Sequence, residues 1–91
     1  MAARIEIYTT GYCGYCRRAK ELLARKGNEY EEIRVDTYPE RRAEMVQRSN
    51  GRRTVPQIFI NDRGIGGCDD LFQLEREGAL DRLLSGPSSG Q

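Results

Sequence analysis

The 91-residue sequence has no histidine, no tryptophan and only three cysteines. A structural zinc site usually takes four Cys or His ligands, so one copy of this chain cannot complete such a site without carboxylates. Three cysteines also fall short of the disulfide framework typical of small secreted domains. No apolar run approaches the roughly 18 residues of a membrane span. These absences predict one small domain with a modest core and no membrane segment.

The sequence also lacks an excess of charge of either sign. Charged residues make up 32% of the chain, yet the net charge is only +1. This balance argues against a dedicated nucleic-acid binder. The N-terminus enters a strand-like pattern without the apolar core of a signal peptide. We therefore expect a cytoplasmic protein, and we expect it to be a monomer.

Two of the three cysteines lie close together, in the segment Cys-Gly-Tyr-Cys at residues 13–16. An apolar, strand-like run precedes this segment at 5–9, and a helix-like run follows it at 17–26. The unpaired N–H groups and partial positive charge of a helix N-terminus favour the thiolate form of Cys13. Cys16 falls on the same helix face and can attack a mixed disulfide formed at Cys13. The pattern predicts a thiol redox site; a zinc knuckle and a chance pair of structural thiols are the alternatives.

Apolar periodicity organises the rest of the chain into alternating elements. A second strand is predicted at 30–35 and a second helix at 37–49. The stretch 54–60 predicts a central strand, and the turn at 61–64 predicts a hairpin. A helix is predicted from residue 68, followed by a short amphipathic turn or helix at 80–84. The order β-α-β-α-β-β-α indicates an α/β fold, a four-stranded mixed sheet with helices on both faces.

The second helix carries specific local predictions. Thr37 is expected to cap it, with Glu40 completing a capping box and Pro39 accepted in the first turn. Its apolar face is thin and consists of Ala43, Met45 and Val46. Its charged residues, Arg48 among them, are interpreted as a solvated face. Residues 85–91 carry no core residue and are predicted to be a flexible polar tail outside a domain at 1–84, a linker or a remnant of an expression vector.

Four segments together resemble one family. They are the strand sequence Ile-Glu-Ile-Tyr-Thr at 5–9, the Cys-Gly-Tyr-Cys segment, Thr-Val-Pro at 54–56 and Gly-Gly-Cys-Asp-Asp at 66–70. In this order and spacing, over residues 4–84, the chain resembles the small bacterial dithiol glutaredoxins of the thioredoxin superfamily. The resemblance implies a thioredoxin fold and a glutathione-dependent disulfide oxidoreductase.

The resemblance also implies roles for individual residues. Cys13 matches the family's nucleophile and Cys16 its resolving thiol, while Pro56 matches a cis-proline. The glutathione-binding residues would be Tyr15, Arg53, Thr54, Val55, Pro56, Gly67, Cys68, Asp69 and Asp70. Either Arg52 or Arg53 is expected to bind the glycine carboxylate of glutathione. Cys68 is interpreted as a small residue beside the groove and not as a catalytic thiol.

Two residues depart from the family's common pattern. Gly14 stands where proline is most frequent, and Thr10 stands where a basic residue is frequent. The leading hypothesis is reduction of protein–glutathione mixed disulfides and protein disulfides, with glutathione as co-substrate and no tightly bound cofactor. Reduction by thioredoxin reductase is a second hypothesis. Because Gly14 leaves the loop free to open, a third is a [2Fe–2S] cluster shared by two chains through Cys13 and two bound glutathiones.

Overall fold

The computed structural model describes residues 3–85. Residues 1–2 and 86–91 lie outside the described residues, and with them nearly all of the tail predicted at 85–91. The elements, in chain order, are β1 (Ile5–Thr9), α1 (Gly14–Arg25), β2 (Glu31–Arg34), α2 (Glu40–Arg48), β3 (Gln57–Ile60), β4 (Arg63–Gly66), α3 (Cys68–Glu77) and α4 (Ala79–Leu84). Within 3–85 no helix is both long and apolar enough to cross a membrane.

The four strands form one mixed sheet in the order β2-β1-β3-β4. β1 runs parallel to β2, with Thr9 opposite Arg34, and antiparallel to β3, with Tyr8 opposite Gln57. β3 and β4 form an antiparallel pair. The predicted fold is confirmed, and the last amphipathic segment is a separate helix. This topology places the end of β1 between the end of β2 and the start of β3.

The central strand β1 is buried along its whole length because both faces of the sheet are covered. One core contains Ile5 and Ile7 with apolar side chains of α1, α3 and α4. The other core contains Tyr8 and Phe59 with Met45 of α2. Alternate residues of one strand therefore anchor helices on opposite faces of the sheet.

The hairpin between β3 and β4 is closed by two residues, Asn61 and Asp62. Both have positive φ, 53° and 66°. Two consecutive positive φ angles match the twist of a hairpin, and Asn and Asp tolerate this conformation better than most residues. The predicted hairpin is confirmed, with a tighter turn than the four residues expected.

The expected start of α2 is wrong. The helix begins after Pro39, which is its N-cap and makes no side-chain capping bond. Thr37 does not cap the helix; its backbone N–H donates to Asp36 at 3.0 Å instead. The apolar face is also thinner than predicted, because Ala43 is exposed and only Met45 is fully buried.

The interpretation of Arg48 as a solvated charge is wrong as well. Its guanidinium donates to the Tyr8 hydroxyl at 2.8 Å and to the Glu6 carboxylate at 3.0 Å. It also lies 4.0 Å from the centroid of the Phe59 ring. Glu6 is a buried carboxylate, so Arg48 neutralises a charge that would otherwise be costly to bury. Arg48 thus fastens α2 to the sheet.

We predict that Arg48→Ala lowers the free energy of unfolding by about 2–3 kcal/mol, because it leaves Glu6 without its main partner. The matched control is Arg42→Ala on the same helix, where the exposed guanidinium makes a 3.4 Å contact to the Arg53 carbonyl. That change should stay within about 0.5 kcal/mol. Urea denaturation of both variants measures the difference, and equal losses would contradict the role given to Arg48.

Candidate active site

Cys13 is the N-cap of α1. Its backbone is extended, with φ −122° and ψ 108°, as N-cap residues usually are. Its sulfur accepts a hydrogen bond from the Cys16 backbone N–H at 3.1 Å. The Cys13 side chain thus occupies the position of a Ser or Asp cap, where the free N–H groups of the helix stabilise negative charge.

Cys16 lies one turn into the helix and is only 1% exposed. Burial, and then its hydrogen bond with Cys13, raises the pKa of the Cys16 thiol to about 12. Cys16 therefore keeps its proton at neutral pH. The two thiols differ in accessibility as well, because Cys13 is partly exposed.

The loop before Cys13 is fastened to the end of β2 by Asp36. Its carboxylate accepts a hydrogen bond from the Gly11 backbone N–H at 2.9 Å. Arg34 holds the same carboxylate through two contacts of 2.8 Å. The Arg34 guanidinium, followed by the Gly11 N–H, holds the pKa of Asp36 well below its usual range. Sequence reasoning missed this anchor, although a polar residue just beyond a strand parallel to β1 is a signal for it.

On its other side, Cys13 faces the segment that leads into β3. The Cys13 sulfur lies 3.8 Å from the carbonyl oxygen of Val55, and the Val55–Pro56 peptide bond is cis. A groove of about 320 Å³ opens here. It is lined by Tyr15, Arg52, Thr54, Val55, Pro56, Gly67, Cys68, Asp69 and Asp70.

Arg52 lines this groove, and Arg53, the arginine assigned to glutathione binding, is not among the lining residues. The Arg52 guanidinium lies 3.4 Å from the Asp70 carboxylate. The Arg53 carbonyl accepts a contact from Arg42. Of the two arginines left open by the sequence, Arg52 is therefore the one at the groove.

One wall of the groove depends on a glycine turn before α3. Gly66 has φ +111°, and a Cβ there would lie 2.3 Å from the Asp70 carboxylate and 2.8 Å from the Arg52 guanidinium. Asp70 in turn accepts a hydrogen bond from the Gly67 backbone N–H at 2.9 Å. A side chain at position 66 would displace both charged groups from the groove.

Cys68 is the first residue of α3 and is 5% exposed. Burial raises the pKa of its thiol, while the nearby Arg18 acts in the opposite direction. A buried neutral thiol is a poor nucleophile. This agrees with its interpretation as a small residue beside the groove.

Comparison with known proteins identifies the family. The glutaredoxin family model matches residues 5–65. A glutaredoxin of Pseudomonas aeruginosa is 56% identical over 81 residues, which are 89% of this chain and 95% of the relative. The chain belongs to the glutaredoxin family. Glutaredoxin 3 of Escherichia coli K12 is 54% identical over 82 residues, 90% of this chain and 98% of the relative.

Solved structures of glutaredoxins have the same fold. The solution structure of a Brucella melitensis glutaredoxin has a TM-score of 0.79 and 57% identity, covering 91% of this chain and 89% of the other. The crystal structure of a buckwheat glutaredoxin–glutathione complex has a TM-score of 0.84 and 35% identity, covering 91% and 77%. The family resemblance and the thioredoxin fold are thus confirmed, and the chain is a thiol–disulfide oxidoreductase.

The difference between the thiols predicts an order of alkylation. In the reduced protein, iodoacetamide at pH 7 should modify Cys13 first, because its sulfur is partly exposed at the helix N-terminus. Cys16 should react slowly even at pH 9, because burial and its raised pKa keep it protonated. Mass spectrometry of digested samples taken over time locates each modification.

Cys68 is the internal control for burial alone, since it is also buried but lies outside the Cys-Gly-Tyr-Cys segment. It should react as slowly as Cys16. Modification of Cys16 or Cys68 before Cys13 would contradict the assignment of Cys13 as the reactive thiol.

Proposed function

We propose that this family member reduces protein–glutathione mixed disulfides and protein disulfides, with glutathione as the electron donor. The observation that carries the proposal is the position of the Cys13 sulfur, partly exposed beside the Val55 carbonyl at the edge of the groove. The crystal structure of the buckwheat relative in complex with glutathione supports a glutathione site in such a fold.

For a protein–glutathione mixed disulfide, the Cys13 thiolate attacks the glutathione sulfur. A Cys13–glutathione disulfide forms, the original disulfide breaks, and the protein leaves as a thiolate that takes a proton from water. A second glutathione thiolate then attacks the glutathione sulfur bound to Cys13. Glutathione disulfide leaves and the Cys13 thiolate is restored.

For a protein disulfide, Cys13 first forms a mixed disulfide with one protein sulfur. The Cys16 sulfur then attacks the Cys13 sulfur and the bond between Cys13 and the protein breaks. The proton of Cys16 passes to the departing protein thiolate, which leaves a Cys13–Cys16 disulfide and a fully reduced protein. The Cys16 backbone N–H donates to the Cys13 sulfur at 3.1 Å, so the two residues lie within reach of each other. Two molecules of glutathione reduce the disulfide and become glutathione disulfide.

Glutathione would lie along the groove as an extended peptide. In this binding mode, backbone groups of Thr54 and Val55 would pair with its cysteinyl residue. The N-terminus of α3, with Asp69 and Asp70 in its first turn, offers N–H groups to the γ-glutamyl carboxylate and a carboxylate to its ammonium group. We assign the binding of a glutathione carboxylate to Arg52 in place of Arg53, because Arg52 lines the groove.

A shared [2Fe–2S] cluster and reduction by thioredoxin reductase remain predictions. In residues 3–85, no three His, Cys, Asp or Glu side chains converge as a metal site, so a [2Fe–2S] cluster would need ligands from outside one chain. Reduction by thioredoxin reductase is tested by supplying that enzyme in the same assay in place of glutathione and glutathione reductase. A cytoplasmic location also stays a prediction.

Two cysteine variants separate the two reaction paths. Cys13→Ser should abolish both activities, although serine is a good N-cap and preserves the helix start. Cys16→Ser should retain removal of glutathione from a mixed disulfide and lose the reduction of a protein disulfide, because only the second path uses Cys16. Turnover is followed through glutathione reductase and NADPH, and substantial activity of Cys13→Ser would refute the nucleophile assignment.

Two arginine variants test which cation serves the groove. Arg52→Ala should raise the KM for glutathione by about fivefold to tenfold, since it removes a charged partner of a ligand carboxylate. Arg53→Ala is the matched neighbour and should change KM by less than about twofold. If only Arg53→Ala raised KM, the original assignment would stand and Arg52 would be a groove wall alone.

A further inference from the structure

Large hydrophobic side chains are exposed on both sequence sides of Cys13 and beyond the end of β2. In the described part of the chain they are Tyr12, Tyr15 and Tyr38, with exposures of 103%, 59% and 55%. Tyr15 lines the groove. The other two do not line it, and we call Tyr12 and Tyr38 the tyrosine rim.

The backbone of the tyrosine rim lies beyond the paired ends of β1 and β2. β1 and β2 are parallel, so their C-terminal ends lie at the same edge, and the Val35 N–H donates to the Thr9 carbonyl at 2.9 Å. The Tyr38 N–H donates to the Arg34 carbonyl at 3.0 Å. The groove instead includes the residues just before β3, and β3 lies on the other side of β1 from β2.

The backbone beneath the rim is held in place and carries balanced charge. The Asp36 carboxylate accepts hydrogen bonds from the Gly11 N–H at 2.9 Å and from the Thr37 N–H at 3.0 Å. Arg34 pairs with the same carboxylate. Each rim tyrosine therefore follows a backbone N–H that a neutral ion pair holds, and this setting suits an uncharged or apolar segment of polypeptide better than a charged one.

A glutathionylated protein brings two groups to Cys13, joined by one disulfide. If glutathione lies in the groove, the protein sulfur must lie on another side of the Cys13 sulfur. We propose that the tyrosine rim is the docking surface for the polypeptide that flanks the glutathionylated cysteine. This inference rests on the proposed glutathione-dependent function and names the place where its protein substrate binds.

The leaving group is the one that the proposed function already gives. With glutathione in the groove, Cys13 bonds to the glutathione sulfur, the disulfide breaks, and the protein thiolate leaves over the rim and takes a proton from water. Tyrosine suits such a surface because it supplies a large contact area at a low cost in conformational entropy. The rim then contributes to the recognition of proteins and little to that of small disulfides.

The test compares two substrates for each variant. The protein substrate is glutathionylated serum albumin, and the small substrate is the mixed disulfide of glutathione and 2-mercaptoethanol. Tyr12→Ser and Tyr38→Ser should each lower kcat/KM for albumin by about fivefold more than for the small substrate. Tyr15→Ser, in the groove, should lower both values by the same factor.

Each outcome has a distinct meaning. If both rim variants lower the two kcat/KM values equally, or change neither, the tyrosine rim is not a docking surface, while the proposed function survives through activity on the small substrate. If the unaltered protein fails on both substrates, the proposed function fails and this inference with it. Circular dichroism spectra and melting temperatures show whether the variants fold; both side chains are exposed, so their substitution should cost little stability.

Discussion

The hydrogen bond from the Cys16 backbone N–H to the Cys13 sulfur fixes the relation between the two thiols. It makes Cys13 the cap of α1, so its sulfur faces outward at the positive end of the helix. It also places Cys16 one turn inside, against the core, where burial keeps the thiol protonated. One local contact therefore gives two chemically similar residues different chemical roles.

That helix start is useful only because the sheet brings distant segments to it. Gly11 contacts Asp36, 25 residues away, and Cys13 contacts Val55, 42 residues away. The parallel pairing of β1 with β2 places one of these contacts, and the antiparallel pairing of β1 with β3 places the other. Segments from two different parts of the chain thus meet the active-site loop, one from the end of β2 and one from the start of β3.

The sequence predicted what depends on short-range signals. The strand followed by a helix at Cys13, the turn at Asn61 and the start of α3 are each encoded within a few residues, and all three are present. Arg48 was misread because its burial depends on Phe59 and Glu6, which are remote in sequence. No local pattern distinguishes a guanidinium that lies on an aromatic ring from one that lies in water.

The sequence could not distinguish between the roles of neighbouring residues. Arg52 and Arg53 have the same side chain, and only the course of the loop decides which of them reaches the groove. The capping box at Thr37 had the right residues at the right spacing, yet Pro39 takes the cap position. The Thr37 N–H is bound to Asp36, which Arg34 holds at the end of β2. Asp36 also accepts a hydrogen bond from the Gly11 N–H, 25 residues away, a tertiary contact that no pattern around Thr37 reveals.

The two arginine–aspartate pairs at this edge of the sheet differ in a way that fits their surroundings. Arg34 and Asp36 share two contacts of 2.8 Å, and Asp36 also accepts two backbone N–H groups. Arg52 and Asp70 share one contact of 3.4 Å with both side chains about half exposed. An exposed pair of that kind contributes about 0–1 kcal/mol, so a ligand carboxylate can replace Asp70 at Arg52 at little cost. The tight pair is suited to hold a loop, and under the proposed function the loose pair is suited to exchange Asp70 for a carboxylate of glutathione.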